Sequence, residues 1–203
     1  MSIRSGIPWR TLGLAAVALA AAAFPGSLEL FELNREAVAG GQFWRLITGH
    51  MVHGSLYHLG LDLAAWVLAG LLFEPVLGRR FWTVVAVSAV CIDAGFLFLQ
   101  PDLGAYCGLS GILNGLMVAG ALALWKSARV RGDSGRAILY ILVLAGILGK
   151  IAVEGLGGTA LFSEVDHLGA VPVPMAHALG ALGAVLAINA TRLPGSGNLT
   201  IYA

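Results

Sequence analysis

Apolar positions along this chain fall into six blocks, at about 9–25, 55–77, 81–99, 109–125, 137–154 and 174–191. Each approaches the ~20 residues that an α-helix needs to cross a bilayer core, so the pattern predicts six transmembrane helices. Polar and turn-forming stretches separate them: "GRR" (78–80), "QPDLGAYCG" (100–108), "KSARVRGDSGR" (126–136) and "GGTALFSEVDHLGAVPVP" (157–174). The longest polar connection, 26–54, is amphipathic rather than disordered in its pattern. The first block also fits a signal peptide, with Arg4 and Arg10 before an apolar run that ends in "AAA" (21–23). A first span retained in the membrane fits the rest of the pattern better.

Composition supports a membrane protein. Of 203 residues, 58% are hydrophobic and 11% charged, and mean hydropathy is +0.86; soluble domains run about 45–50% apolar and about 25% charged. A net charge of +1 gives no reason to expect nucleic acid. The two cysteines, Cys91 and Cys107, form no CxxC or zinc spacing; a single bridge between them is the only disulfide the sequence allows.

Lysine and arginine set the expected orientation. With the N-terminus cytoplasmic, that side holds Arg4, Arg10, Arg79, Arg80, Lys126, Arg129, Arg131, Arg136 and Arg192, and the other side only Arg35, Arg45 and Lys150. The expectation is one six-span domain over 1–203 with both ends cytoplasmic and a cytoplasmic tail at 192–203. His50, His53 and His58 then lie at the outer start of span two, Ser110 at that of span four and His177 at that of span six.

Polar groups inside a bilayer are expensive and usually serve a purpose. A serine hydroxyl is a weak nucleophile until a base takes its proton, which a histidine within hydrogen-bond reach can do. Gly111 and Gly115 on span four, and Ala176, Gly180, Gly183 and Ala184 on span six, form small-residue faces that allow close helix packing. That packing would bring Ser110 to His177; the bland alternative is that the small residues serve packing alone. No third partner for His177 is evident, so a Ser–His dyad is the economical arrangement. Backbone N–H groups at the start of span four, with His58, are candidate oxyanion donors. The histidines with Asp62 also resemble a metal-ligand set, but HExxH is absent, and neither metal nor cofactor is expected.

Three stretches resemble the rhomboid family of intramembrane serine proteases: "WRLITGHMVHGSLYHLGLDLAAWVLAGLLFEPVLG" (44–78), "YCGLSGILNGLMVAGAL" (106–122) and "AHALGALGAVLA" (176–187). The resemblance implies an all-α, six-helix membrane bundle, with Ser110 as nucleophile and His177 as general base. It implies an oxyanion hole from His58 and the Ser110 backbone N–H. Gly108, Gly111, His53, Trp44, Arg45 and Asn114 are implied as supporting residues, and Glu74 as a structural carboxylate. Two positions depart from the family pattern. Asp62 stands where an Asn donor is usual; a protonated Asp62 acting as donor is the favoured expectation, with orientation of a neighbouring histidine, or a hole built from His58 and backbone alone, as alternatives. Asn114 stands where an aromatic often supports the histidine ring, leaving open how His177 is held.

The short chain, "YCGLSG", "GILGKIAVEG" (146–155) and "VPVPMAHALGAL" are similar to the rhombosortase subgroup. Its implied substrates are secreted proteins with a C-terminal Gly-Gly motif, an apolar helix and a basic tail, met in the bacterial inner membrane. Lys150 and Glu154, spaced i,i+4, are expected to form a structural ion pair. Two rival classes are a non-catalytic rhomboid-like protein that binds transmembrane helices, and a small transporter using Asp62, Asp93 and the histidines as a relay. Retention of both Ser110 and His177 argues against the first, and the lack of inverted repeats against the second.

Overall fold

A computed structural model describes residues 7–157 and 173–190. Arg4, Arg192, the tail 192–203 and most of the 157–174 connection lie outside the described residues. In chain order the elements are α1 (Trp9–Ala22), α2 (Ser27–Phe31), β1 (Leu33–Asn34), α3 (Arg35–Ala39), α4 (Arg45–Thr48), α5 (Leu56–Leu77), α6 (Arg80–Leu99), β2 (Ala105–Tyr106), α7 (Ser110–Val130), α8 (Ser134–Gly157) and α9 (Pro174–Ala190). Among the described residues, the regular elements are helices apart from the two-residue strands. Among the described residues, four helices, α5 to α8, are long and apolar enough to cross a membrane; α1 and α9 are shorter apolar helices of 14 and 17 residues. The first apolar block is helical only to Ala22. Pro25 follows, and Gly26 takes a left-handed φ of 73°, so the chain turns before the block ends.

α7 is the central helix. From Gly111 to Ala121 nearly every residue is buried, the signature of a helix enclosed on all sides. α5, α6, α8 and α9 pack around it. α8 is the opposite case: it buries Ala137, Ile151 and Glu154 and leaves Ile138, Leu139, Ile141 and Leu142 exposed. That is an apolar face suited to lipid.

Glycines set the tightest contact, between α7 and α9. A Cβ on Gly180 would overlap the Gly111 carbonyl oxygen and lie 2.7 Å from its carbon, and one on Gly115 would lie 2.6 Å from the Gly180 oxygen. Ser88 of α6 donates to the Gly180 carbonyl at 2.9 Å, and Gly183 packs on the Ser88 backbone. Three helices thus meet where their side chains are smallest.

The connection 26–54 is folded. β1 pairs antiparallel with β2, Leu33 opposite Tyr106 and Asn34 opposite Ala105, which ties it to the segment before Ser110. Two arginines hold it. Arg35 donates to the carbonyls of Leu97 at 2.8 Å and Gln100 at 2.6 Å, placing a cation at the C-terminus of α6 where the helix dipole favours it. Buried Arg45 donates to Glu32 O at 2.8 Å, Glu29 O at 3.0 Å and the Gln42 side chain at 2.7 Å. At the other end of α5, Glu74 accepts from the Thr11 backbone at 2.8 Å and the Thr11 hydroxyl at 2.7 Å, fixing α1. Cys91 and Cys107 are free thiols, so the one disulfide the sequence allowed is not formed.

Candidate active site

Ser110 is the first residue of α7. Gly108 delivers the chain to it with a φ of +114°, a conformation open to glycine and strained for other residues. A Cβ there would also press on the His58 ring at 3.0 Å. The turn is pinned on both sides: Gly108 N–H donates to Gly49 O at 3.1 Å, and the Tyr106 hydroxyl donates to Gly108 O at 3.1 Å. Leu109 N–H donates to Asp62 Oδ2 of α5 at 2.9 Å.

His177 lies in the first turn of α9, one turn before Gly180. The glycine contact brings that turn to the start of α7, and His177 Nε2 lies 3.0 Å from Ser110 Oγ. The imidazole is buried, with the side chain 11% exposed. This is the hydrogen-bond geometry that a serine nucleophile and its general base require. The first-turn N–H groups of α7 have no acceptor within the helix, as helix geometry requires.

His177 does have a third partner, contrary to the sequence reading. Glu154 Oε2, from α8, lies 2.8 Å from His177 Nδ1. The expected Lys150–Glu154 pair is present, at 2.7 Å on the same oxygen, so the carboxylate serves both. A carboxylate at the outer end of an apolar span, level with Ser110 and His177, was the available signal. It was read as local because its i,i+4 lysine already accounted for it. Asn114, at the position open to an aromatic, instead donates from Nδ2 to the Ser110 carbonyl at 2.8 Å.

Beside this group, His53 Nε2 is 3.1 Å and His58 Nε2 3.6 Å from Asp62 Oδ2. Asp62 Oδ2 also accepts from Leu109 N–H. Ser55 caps α5 by accepting from His58 N–H at 3.1 Å, which sets the first turn that carries the ring. The ligand atoms of His53, His58 and Asp62 lie within 4.8 Å of one another, close enough to hold one metal ion; hydrogen bonding accounts for the same spacing. His50 is apart from this cluster, with Nε2 3.2 Å from Asp93 Oδ1, so the two aspartates of the relay reading have separate partners. Trp44 is half exposed while its neighbour Arg45 is buried. Next to the turn, burial first and Glu32 second push the Cys107 thiol up to about 12, and burial likewise raises the Tyr106 hydroxyl.

Residues 40–192 match the Rhomboid domain family. The chain is also similar to YdcA of Bacillus subtilis (strain 168), named as a candidate rhomboid protease. Identity is 28% over 116 residues, covering 56% of this chain and 58% of the relative, so the match spans a little over half of that protein. With the family match running from before α4 to the end of α9, the chain belongs to the rhomboid family.

Proposed function

We propose that this protein is an intramembrane serine endopeptidase in which Ser110 is the nucleophile and His177 the general base. The observation that carries the reading is the 3.0 Å approach of His177 Nε2 to Ser110 Oγ within a glycine-packed helix bundle. A substrate helix enters laterally between α5 and α8 and unwinds near the outer face, because a helical peptide bond is hidden by its own hydrogen bonds. Ser110 Oγ attacks the exposed carbonyl as its proton passes to His177 Nε2. The tetrahedral oxyanion is met by the Ser110 N–H and by His58. The C–N bond then breaks, His177 gives its proton to the leaving amine, and an acyl-enzyme remains. Water, deprotonated by the same imidazole, releases the carboxylate product.

Asp62 serves here as an acceptor that fixes the Leu109 turn and orients His53, rather than as an oxyanion donor; its bond to Leu109 N–H supports this. Six spans, with α1 and α9 crossing as the shorter two, and both ends cytoplasmic are the topology, in a bacterial inner membrane. The lysine and arginine distribution supports it. The substrates are transmembrane segments, those with C-terminal Gly-Gly sorting tails being the narrower class, as the rhombosortase-like stretches suggest. The test is labelling of the detergent-solubilised chain with a fluorescent fluorophosphonate. Labelling of the unmodified protein that vanishes in both Ser110→Ala and His177→Ala is the expected result. An unlabelled but folded protein favours a helix-binding role without catalysis, and labelling that persists in Ser110→Ala removes the nucleophile assignment.

A further inference from the structure

We infer that Glu154, held by Lys150, is a positioning residue for His177, so that the site works as a Ser110–His177–Glu154 triad with a lysine behind it. This deepens the protease reading and rests on it.

The ring of His177 needs something to aim it. Proton acceptance from Ser110 requires a lone pair on Nε2, and that requires the ring proton on Nδ1. Asn114 gives the ring no aromatic shelf, because its amide is turned onto the Ser110 carbonyl. Glu154 supplies what is missing: its Oε2 lies 2.8 Å from Nδ1. An ionised carboxylate can only accept, so the contact selects the Nδ1–H tautomer and fixes the ring plane from the side opposite Ser110.

Charge supports the same assignment. Glu154 is 1% exposed, and a buried carboxylate needs compensation. Lys150 Nζ at 2.7 Å supplies it, with its side chain 23% exposed. Were the pair only an ion pair internal to α8, its shared oxygen would have no need to face α9. Among the described residues, the groups around the imidazole include Ser110 from α7, Glu154 and, through it, Lys150 from α8, and His58 within electrostatic reach from α5. When His177 takes the Ser110 proton and becomes an imidazolium, Glu154 is the anion in contact with it, and Lys150 keeps that anion in place.

The experiment measures the fluorophosphonate acylation rate of the full chain in detergent, resolved into probe binding and the bond-forming step. Glu154→Gln keeps the size of the side chain and removes its charge. It is expected to slow the bond-forming step by about 10²–10⁴-fold, by analogy with loss of the triad carboxylate elsewhere, with probe binding and thermal unfolding little changed. Glu154→Asp is expected to regain at least about tenfold over Glu154→Gln. A folded Glu154→Gln protein acylated within about threefold of the unmodified chain overturns the assignment. A measurement on unmodified protein covers the case in which that variant does not fold. Nitrogen-15 NMR of the histidines, with His177 identified by its loss in His177→Gln, is expected to report the Nδ1–H tautomer. An Nε2–H tautomer overturns the proposal. Labelling that persists in Ser110→Ala overturns the protease reading, and the triad with it; labelling lost in Ser110→Ala but unaffected in Glu154→Gln removes the triad alone.

Discussion

Gly111 and Gly180 place the backbones of α7 and α9 in direct contact, one residue after Ser110 and three after His177. The hydrogen-bond distance between serine and histidine is therefore set by backbone against backbone, with no side chain between. A Gly180→Ala change puts a methyl group into the Gly111 carbonyl, and neither backbone can give way cheaply. Overpacking of this kind costs about 1–3 kcal/mol. Displacing His177 by about 1 Å can cost about 10²-fold in rate. The expected outcome is a protein that still folds at lower temperature but is acylated by a fluorophosphonate at least tenfold more slowly (order of magnitude). Gly146→Ala, on α8 with no neighbour around its Cβ position, is the control and should leave both properties intact.

The Ser110–His177 pair was legible because the chemistry and the packing signal coincide in sequence. "GLSG" carries Ser110 next to, and "AHALG" carries His177 one turn before, the glycine that lets the helices meet. Arg45 was legible through its motif, though its three acceptors are not, since two are backbone carbonyls of the preceding segment. Glu154 was not legible as a partner of His177. The two are 23 residues apart, on helices joined by a long connection, and an i,i+4 lysine offered a complete local explanation. Arg35 was read only as one outer-side charge, because helix-end carbonyls leave no mark in composition. The donor expected at Asp62 came from analogy to an amide; the bond from Leu109 N–H needs only an acceptor, which either side chain provides.

That last point makes position 62 testable. Asp62 Oδ2 accepts from Leu109 N–H and faces His53 Nε2 at 3.1 Å. Asp62→Asn keeps an oxygen where Leu109 N–H and His53 converge but removes the negative charge, and is expected to lower the acylation rate by roughly tenfold, the difference between a charged and a neutral acceptor. Asp62→Ala leaves Leu109 N–H buried without its partner and should cost more, on the order of 100-fold. An Asp62→Asn enzyme more active than the unmodified chain would restore the donor role. Treating the unmodified protein with EDTA separates a metal role for His53, His58 and Asp62 from hydrogen bonding; the expected rate is unchanged.

Cys107 offers a check on the turn that needs no substrate. The nucleophile in alkylation is the thiolate. Burial disfavours that anion and the Glu32 carboxylate repels it, which is why the thiol is raised to about 12. The sign follows directly: the folded protein holds Cys107 neutral at ordinary pH, with a thiolate fraction of about 10⁻⁴ at pH 8. In a Cys91→Ser background, the native protein should resist iodoacetamide at pH 8 and react readily once denatured, at the usual rate of a free cysteine. Reactivity in the native state should climb tenfold per pH unit for as long as the fold survives. Rapid native alkylation at pH 8 would mean that the surroundings of Cys107, in the segment leading to Ser110, are more open to solvent than the structure shows.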